Sequence, residues 1–296
     1  MAAETGTGQS MYAIEHYSDV NIGGTALLLD LIANKSLQVK KIVIASSRAV
    51  YGEGKYKCTQ HGFVYPFSRL LEDMERGDFE VHCPTCGFPA QLVATDEATP
   101  VRPSSVYGVT KLTQEQLVLN VCRALGISAI AFRYQNVYGP GQSLSNPYTG
   151  ILSIFSTRIR NKSPINIFED GKESRDFVYI DDVVSVTAKA VKYDKPLIDT
   201  FNVGSGVSTD IFTIASTLQK LLNIEVPTLV SGQFRIGDIR HNFADLSKIR
   251  RVFGFKAKVS IEQGLANFVN WVKAEDVQVD RYEQSLQEMK SKGLFK

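Results

Sequence analysis

Cysteine, tryptophan and methionine are scarce in this sequence, with four, one and four residues among 296. Four cysteines in a chain of this size do not make a disulfide scaffold, and the expected compartment is the reducing cytoplasm. Long hydrophobic runs are also missing. Stretches such as Ile42–Ala45 and Ile127–Phe132 are strand-sized, far below the roughly 20 apolar residues a bilayer span needs, so no membrane partner is expected. Neither sign of charge dominates: 33 Lys and Arg face 31 Asp and Glu, a net charge of +2. That balance leaves no basic footprint for nucleic acid. The opening Met1-Ala2-Ala3-Glu4-Thr5-Gly6 has neither a basic n-region nor an apolar h-region, which gives no expectation of a secretory signal. What remains is 44% hydrophobic and 22% charged, an ordinary globular composition that excludes disorder, collagen and coiled coil. The length allows one large or two ordinary domains.

Helix and strand patterns alternate along the chain, which predicts an α/β architecture on a largely parallel sheet. Tyr17–Asn34 carries apolar residues at helical spacing and precedes the β-rich Lys41–Ser46. Ser104 or Ser105 can cap a helix that stops at Gly126, and Ser128–Arg133 returns as a strand. Beyond Tyr138 the pattern predicts a helix near Gly150–Arg160, a hairpin-like Ile165–Ile180 turning at Asp170-Gly171, and a helix from Asp181 to about Tyr193. A strand Thr200–Val203, a helix Ile211–Leu222 and a last helix Ile261–Ala274 complete it. Gly54–Thr95 breaks the alternation and is too long for an ordinary connection.

That segment holds Cys58-x-x-His61-Gly and Cys83-Pro-Thr-Cys86-Gly. Two-residue spacing lets both side chains of a knuckle reach one cation, and two knuckles supply four tetrahedral N/S ligands. A CxxC redox pair or unrelated thiols are the alternatives. A redox motif opens a helix after a strand, whereas Pro84 and Gly87 make a turn here. The expectation is a closed, structural Cys3His zinc ribbon of Cys58, His61, Cys83 and Cys86. Glu72, Asp73, Glu75, Asp78 and Glu80 lie between the knuckles, which argues against phosphate contact by this ribbon.

Tyr107-Gly-Val-Thr-Lys111 opens a predicted helix, and Ser46-Ser47 ends the strand before it. Residues i and i+4 share a helix face, so the Lys111 ammonium can lie beside the Tyr107 phenol and draw its pKa from about 10 towards working pH. A Tyr and a Lys four apart are commonplace on solvated helices; the context gives the pair its meaning.

Ala45-Ser-Ser-Arg-Ala-Val-Tyr-Gly52, Pro103-Ser-Ser-Val-Tyr-Gly-Val-Thr-Lys111, Phe132-Arg-Tyr-Gln-Asn-Val-Tyr-Gly-Pro140 and Ser174-Arg-Asp-Phe-Val-Tyr-Ile-Asp-Asp182 resemble, in this order, the extended short-chain dehydrogenase/reductases that act on nucleotide sugars. The resemblance implies a Rossmann-type, doubly wound parallel sheet over 1–136, with the zinc insertion at about 54–95. It also implies a smaller α/β substrate domain over 137–296, from which about 175–203 returns to the sheet. Tyr107 becomes the acid/base, Ser47 the hydroxyl that bonds the reacting sugar oxygen, and Lys111 the residue that tunes the tyrosine and holds the ribose of NAD. The cofactor side further takes in Ala2, Ser46, Asn21 and Tyr134, although Asn21 reads equally well as a helix-to-helix polar contact. Asn136, Arg175, Arg235 and Asp238 fall where the family meets the nucleotide-sugar substrate. An Arg fork suits phosphate independently of any family, yet taken singly each arginine would read as a surface ion-pair partner. The family pairs two helices across a two-fold axis, which implies a homodimer through Tyr17–Asn34 and Ser105–Leu125.

Two departures refine the resemblance. Arg48 and Ala49 stand where the family's sugar dehydratases carry acids, which disfavours dehydration and leaves epimerisation, with a look of the deoxyhexose branch. No GxxGxxG turn occurs in the sequence, and Thr5-Gly-Thr-Gly-Gln-Ser10 lacks the Walker lysine. The expectation is that about the first 70 to 80 residues of the fold are missing. The alternative function is an inactive remnant that binds a nucleotide sugar or a partner chain.

Overall fold

The computed structural model describes residues 3–35, 37–148 and 150–296. Its helices are α1 (Thr7–Ser10), α2 (Ile14–Ser18), α3 (Gly24–Asn34), α4 (Leu71–Glu75), α5 (Val106–Leu125), α6 (Ile151–Arg160), α7 (Ile180–Lys192), α8 (Ile211–Leu222), α9 (Ser247–Phe253), α10 (Ile261–Ala274) and α11 (Tyr282–Ser291). A π-helical turn, Asp19–Gly23, joins α2 to α3. The strands are β1 (Lys41–Ser47), β2 (Tyr56–Cys58), β3 (Gly62–Val64), β4 (Gln91–Leu92), β5 (Ser128–Tyr134), β6 (Asn136–Tyr138), β7 (Ile165–Ile167), β8 (Ser174–Tyr179), β9 (Ile198–Val203), β10 (Ser208–Asp210) and β11 (Thr228–Val230). Among the described residues no helix is long and apolar enough to cross a membrane.

The central sheet is parallel in the order β1-β5-β9. Alternate residues of β1 serve its two faces, as the pleat requires. Ile42 and Ile44 pack with Leu29 and Ile32 of α3 and Val118 and Cys122 of α5. Val43 and Ala45 join the opposite core, built on Phe132, Phe201, Val183, Val186 and Phe253. Packing on both faces explains the continuous apolar runs: β5, in the middle of the sheet, is buried along nearly its whole length, while β1, at the edge, is half-buried as far as Ala45. Ser105 caps α5 by accepting from the Gly108 amide at 3.1 Å, and Gly126 ends the helix in the left-handed region, φ 66.

A second core lies beyond β5. Strands β6 and β8 run parallel with β10 antiparallel on β8, while β7 pairs with β11. Phe155 and Ile159 of α6, Ile214 and Leu218 of α8, and Phe268 and Val272 of α10 close over them.

Two expectations need correction. Ile165–Ile180 is not a hairpin, because β7 and β8 sit in different sheets and each finds another partner. The connection is held open by Glu169, whose backbone takes φ 50 and whose carboxylate is bound by Arg69 and Arg240 at 2.7 and 2.8 Å. Ile261–Ala274 is not the last helix either: α11 follows, its Tyr282, Leu286 and Met289 packing with Phe295.

The 54–95 segment folds as a small sheet in the order β3-β2-β4 around Tyr56, Val64 and Val81. It is fastened to the body by charge. Arg69, whose side chain is 3% exposed, pairs with Glu53 at 3.2 Å and Glu169 at 2.7 Å, and donates to the Asp238 carbonyl at 3.1 Å. The fully buried Arg240 takes Glu80, Glu169 and Asp170 at 2.7 to 2.9 Å. Part of the acidic span is therefore spent internally, Glu80 on Arg240 and Glu75 on Lys296.

Candidate active site

Strand β1 ends at Ser47, which caps a 3-10 turn, Arg48–Tyr51, by accepting from the Ala49 amide at 3.2 Å. The first turn of α5 closes onto this turn. A Cβ on Gly108 would stand 2.6 Å from the Ala49 carbonyl oxygen, so only glycine allows that approach. Gly52 is equally constrained: its φ is +63, and a Cβ there would lie 2.2 Å from the Arg102 carbonyl oxygen. Ser47 and Tyr107 consequently line one cavity of about 380 Å³, with Arg48, Gln135 and Asn136. The Ser10 hydroxyl accepts from the Tyr107 amide at 3.0 Å and donates to the Thr7 carbonyl at 2.7 Å, which fixes the Thr5–Ser10 loop over the helix start.

Burial pushes the Tyr107 phenol up, and the Ser47 hydroxyl and Arg48 guanidinium oppose that rise. The expected role of Lys111 as the tuning cation is not what this geometry shows. Its ammonium is buried and donates to Gln114 Oε1 at 2.7 Å, and burial holds it down to about 8 against the pull of Glu115. The same chain continues from Gln114 to Thr25 at 2.7 Å and from Thr25 to the Asn21 carbonyl at 2.7 Å.

The other cofactor-side residues also spend their polar atoms on protein. Asn21 is fully buried; its amide donates to Thr110 Oγ1 at 3.0 Å and to the Glu4 carbonyl at 3.1 Å, and accepts from the Glu4 amide at 2.9 Å. Ser46 donates to Glu115 Oε2 at 2.6 Å, beneath the site, where Arg133 holds the same carboxylate at 2.5 and 3.1 Å. Tyr134 turns its hydroxyl to Thr187 at 2.8 Å and packs its ring against Phe132. Ala2 lies outside the described residues.

The residues expected to meet the substrate converge. Asn136, Arg175, Arg235 and Asp238 line a second cavity of about 160 Å³, which adjoins the first and shares Arg48 and Asn136 with it. Arg235 pairs with Asp238 at 3.0 Å and lies over the Phe168 ring. Arg175 is aimed by the carbonyls of Ser174, Ile239 and Arg240 at 2.7 to 2.9 Å. Sequence reasoning missed Glu173, whose carboxyl is pushed up to about 7 by burial against the opposing Arg175. It also missed Tyr282, Ser285 and Met289 of α11 on the same wall. The spacing Tyr282, Leu286, Met289 was the available signal.

The four candidate metal ligands come together in the insertion. Cys58 Sγ, His61 Nδ1, Cys83 Sγ and Cys86 Sγ all lie within 4.8 Å of one another. Cys58 is 3.6 Å from His61 and 3.7 Å from Cys86, and Cys83 is 3.7 Å from His61. The Gln60 amide, foremost, draws the Cys58 thiol down to about 6.

A parallel Rossmann-like sheet, a Ser/Tyr pair at the C-terminal end of its strands and an arginine-lined pocket beside it define an enzyme of the nucleotide-cofactor α/β class. The profile of the NAD dependent epimerase/dehydratase family matches residues 68–204. The chain is 38% identical over 277 residues to the dTDP-L-rhamnose 4-epimerase of Burkholderia thailandensis, spanning 93% of this chain and 74% of that protein. It is 30% identical over 275 residues to the UDP-glucuronate 4-epimerase of Thermodesulfobacterium geofontis, spanning 92% and 71%. Among solved structures it resembles MoeE5 in complex with UDP-glucuronic acid and NAD, with a TM-score of 0.74 at 27% identity over 93% of this chain and 78% of that one. It also resembles the UDP-glucose 4-epimerase of Thermotoga maritima with UDP-glucose, with a TM-score of 0.73 at 26% identity over 93% and 76%. The chain belongs to the NAD dependent epimerase/dehydratase family and is a sugar-nucleotide epimerase.

Proposed function

We propose that this enzyme inverts C4 of a dTDP- or UDP-linked hexose or deoxyhexose through a transient 4-keto sugar. One observation carries the reading: the cavity holding Ser47 and Tyr107 runs into the cavity holding Arg175, Arg235 and Asp238. A sugar at the first and its diphosphate at the second would bring a ring hydroxyl to the phenol. Tyr107 would take the hydroxyl proton and return it, Ser47 would share that hydrogen bond, and Arg175 and Arg235 would hold the phosphates. NAD, when bound, would supply the hydride acceptor and donor at the reacting carbon. Tyr107 and Lys111 on one face of α5 are the residues to hold its nicotinamide ribose, while the sequence contains no glycine-rich turn for its pyrophosphate. Arg48 and Ala49, neither of them acidic, favour epimerisation over dehydration. The 38% identical dTDP-L-rhamnose 4-epimerase favours a deoxyhexose substrate.

We also read the Cys3His cluster as a structural zinc site. Tetrahedral zinc, with Zn–S about 2.3 Å and Zn–N about 2.0–2.1 Å, places its ligand atoms about 3.6–3.8 Å apart. Three of the six separations, 3.6 to 3.7 Å, match that polyhedron, and all four ligand atoms lie within 4.8 Å of one another. Cys122, outside the cluster, is a free buried thiol, in keeping with the reducing cytoplasm. Exposed Leu27, Leu28 and Leu31 on α3, with Val109 and Leu125 on α5, support a homodimer through these helices.

A second reading, a nucleotide-sugar-binding chain without turnover, is favoured by the protein-satisfied polar atoms of Ser46, Asn21, Tyr134 and Lys111. Incubating the protein with NAD and dTDP- or UDP-hexoses, and following C4 configuration by NMR, separates the two. Inversion supports the epimerase; tight binding with no inversion at saturating NAD refutes it.

A further inference from the structure

Arg48 is a cation without a counter-ion. Its Nε donates to Asn136 Oδ1 at 3.1 Å, and among the described residues no ion pair reaches its guanidinium. The acids that face it are already engaged, Asp238 by Arg235 at 3.0 Å and Glu53 by Arg69 at 3.2 Å. Its other strong neighbour is a second cation, Arg175, and burial together with that like charge holds Arg48 down to about 10. Two guanidiniums that line one cavity repel each other, and an anion bound between them relieves that repulsion. Among the described residues Arg48 is also the only charged side chain lining both cavities, the one with Ser47 and Tyr107 and the one with Arg175 and Arg235.

Resting on the nucleotide-sugar reading, we propose that Arg48 is a specificity-determining residue whose guanidinium binds the sugar-linked phosphate of the diphosphate together with Arg175. The five donors of a guanidinium suit the task, because Nε stays on Asn136 while the two terminal nitrogens remain for phosphate oxygens. Asn136, fixed by that bond, is held at the junction of the two cavities. The sugar-linked phosphate is thereby held where the two cavities meet, and the hexose extends from it towards Ser47 and Tyr107. A nucleoside monophosphate leaves Arg48 unengaged, so the residue discriminates by the second phosphate.

Calorimetric titration of the full chain with dTDP, dTMP, UDP, UMP and UDP-glucuronate tests this, using wild type, Arg48→Met and Arg48→Lys. Methionine keeps an apolar stem in place of the fork. Arg48→Met should weaken diphosphate binding by about 10- to 100-fold, the worth of charged hydrogen bonds, and leave monophosphate binding within a few-fold. Arg48→Lys should fall between, since an ammonium restores charge without the fork. Retained monophosphate affinity shows that the variant pocket is folded; should Arg48→Met lose it, Arg48→Lys decides alone. Equal affinities of wild type and Arg48→Lys for the diphosphates, with Arg48→Met folded and unchanged, would overturn the proposal. A loss confined to UDP-glucuronate would overturn it as well, by assigning the guanidinium to a sugar carboxylate. If wild type binds neither dTDP nor UDP, the nucleotide-sugar reading itself falls.

Discussion

Replacing Arg69 by Met removes the cation through which the Cys/His insertion reaches the substrate pocket. Arg69 serves two carboxylates that are themselves buried, Glu53 at 2% and Glu169 at 5% exposure. Glu169 keeps Arg240 at 2.8 Å, but Glu53 is left with only the Arg240 amide at 2.9 Å. Uncoupling one partner of a buried pair costs about 3–5 kcal/mol, and with Glu169 still paired the lower figure, about 3 kcal/mol, is expected. At about 2–4 °C per kcal/mol for a chain of this order, the melting temperature should fall by roughly 6–12 °C. The loss should depend on pH. Burial raises the Glu53 carboxyl and Arg69 opposes that rise, so without Arg69 the folded-state pKa moves further above the unfolded one. Ionising Glu53 then costs stability as pH rises through the folded value, and the deficit should be larger at pH 8 than at pH 6. Adding Glu53→Gln should recover part of it, a coupling of about 1–3 kcal/mol in the double-mutant cycle. Calorimetric melts at both pH values measure these quantities. A single variant within about 0.5 kcal/mol of wild type, or strictly additive single costs, would refute the reasoning.

Three further outcomes follow from the geometry. Elemental analysis of freshly purified, thiol-reduced protein should find about one zinc per chain, and chelation should loosen 54–95 in hydrogen exchange while α5 stays protected; metal-free protein with full protection refutes the site. Light scattering should report a dimer at micromolar concentration, with Leu28→Glu shifting it to monomer; a monodisperse wild-type monomer contradicts the α3/α5 interface. Glu173, raised to about 7 among Arg175, Arg240 and the like-charged Glu169, is neutral below that pH and anionic above it. Affinity for dTDP or UDP should therefore fall between pH 6 and pH 8, and Glu173→Gln should flatten the profile; an unchanged slope in the variant removes Glu173 from the pocket.

Much of the frame is legible in the sequence because it is encoded locally. Ser105 opens α5 with its side-chain hydroxyl and Gly126 closes it with a left-handed backbone, and the apolar runs of β1 and β5 declare strands covered on both faces. The knuckle spacing likewise brings Cys58, His61, Cys83 and Cys86 together. What the sequence hides is partner choice. The run Ile165–Ile180 looks like a hairpin until Arg69 and Arg240, from distant segments, claim Glu169 in the turn. Lys111 stands one turn from Tyr107, yet Gln114 and Thr25 determine where its ammonium points. Arg48 reads as a mere departure from a pattern until the fold puts it between two cavities. The α11 stripe is short and mostly polar, so its contribution to the pocket wall emerges only when the chain is packed.

The most direct test of the central claim compares wild type with Tyr107→Phe, under saturating NAD, on a dTDP- or UDP-hexose carrying deuterium at C4. The variant keeps the ring and removes the proton acceptor, so turnover should fall by at least about 10²-fold, with nucleotide affinity nearly unchanged. Wild type should invert C4 and keep the deuterium on that carbon. A Tyr107→Phe enzyme as active as its parent, or loss of the C4 deuterium to solvent during inversion, would contradict the account.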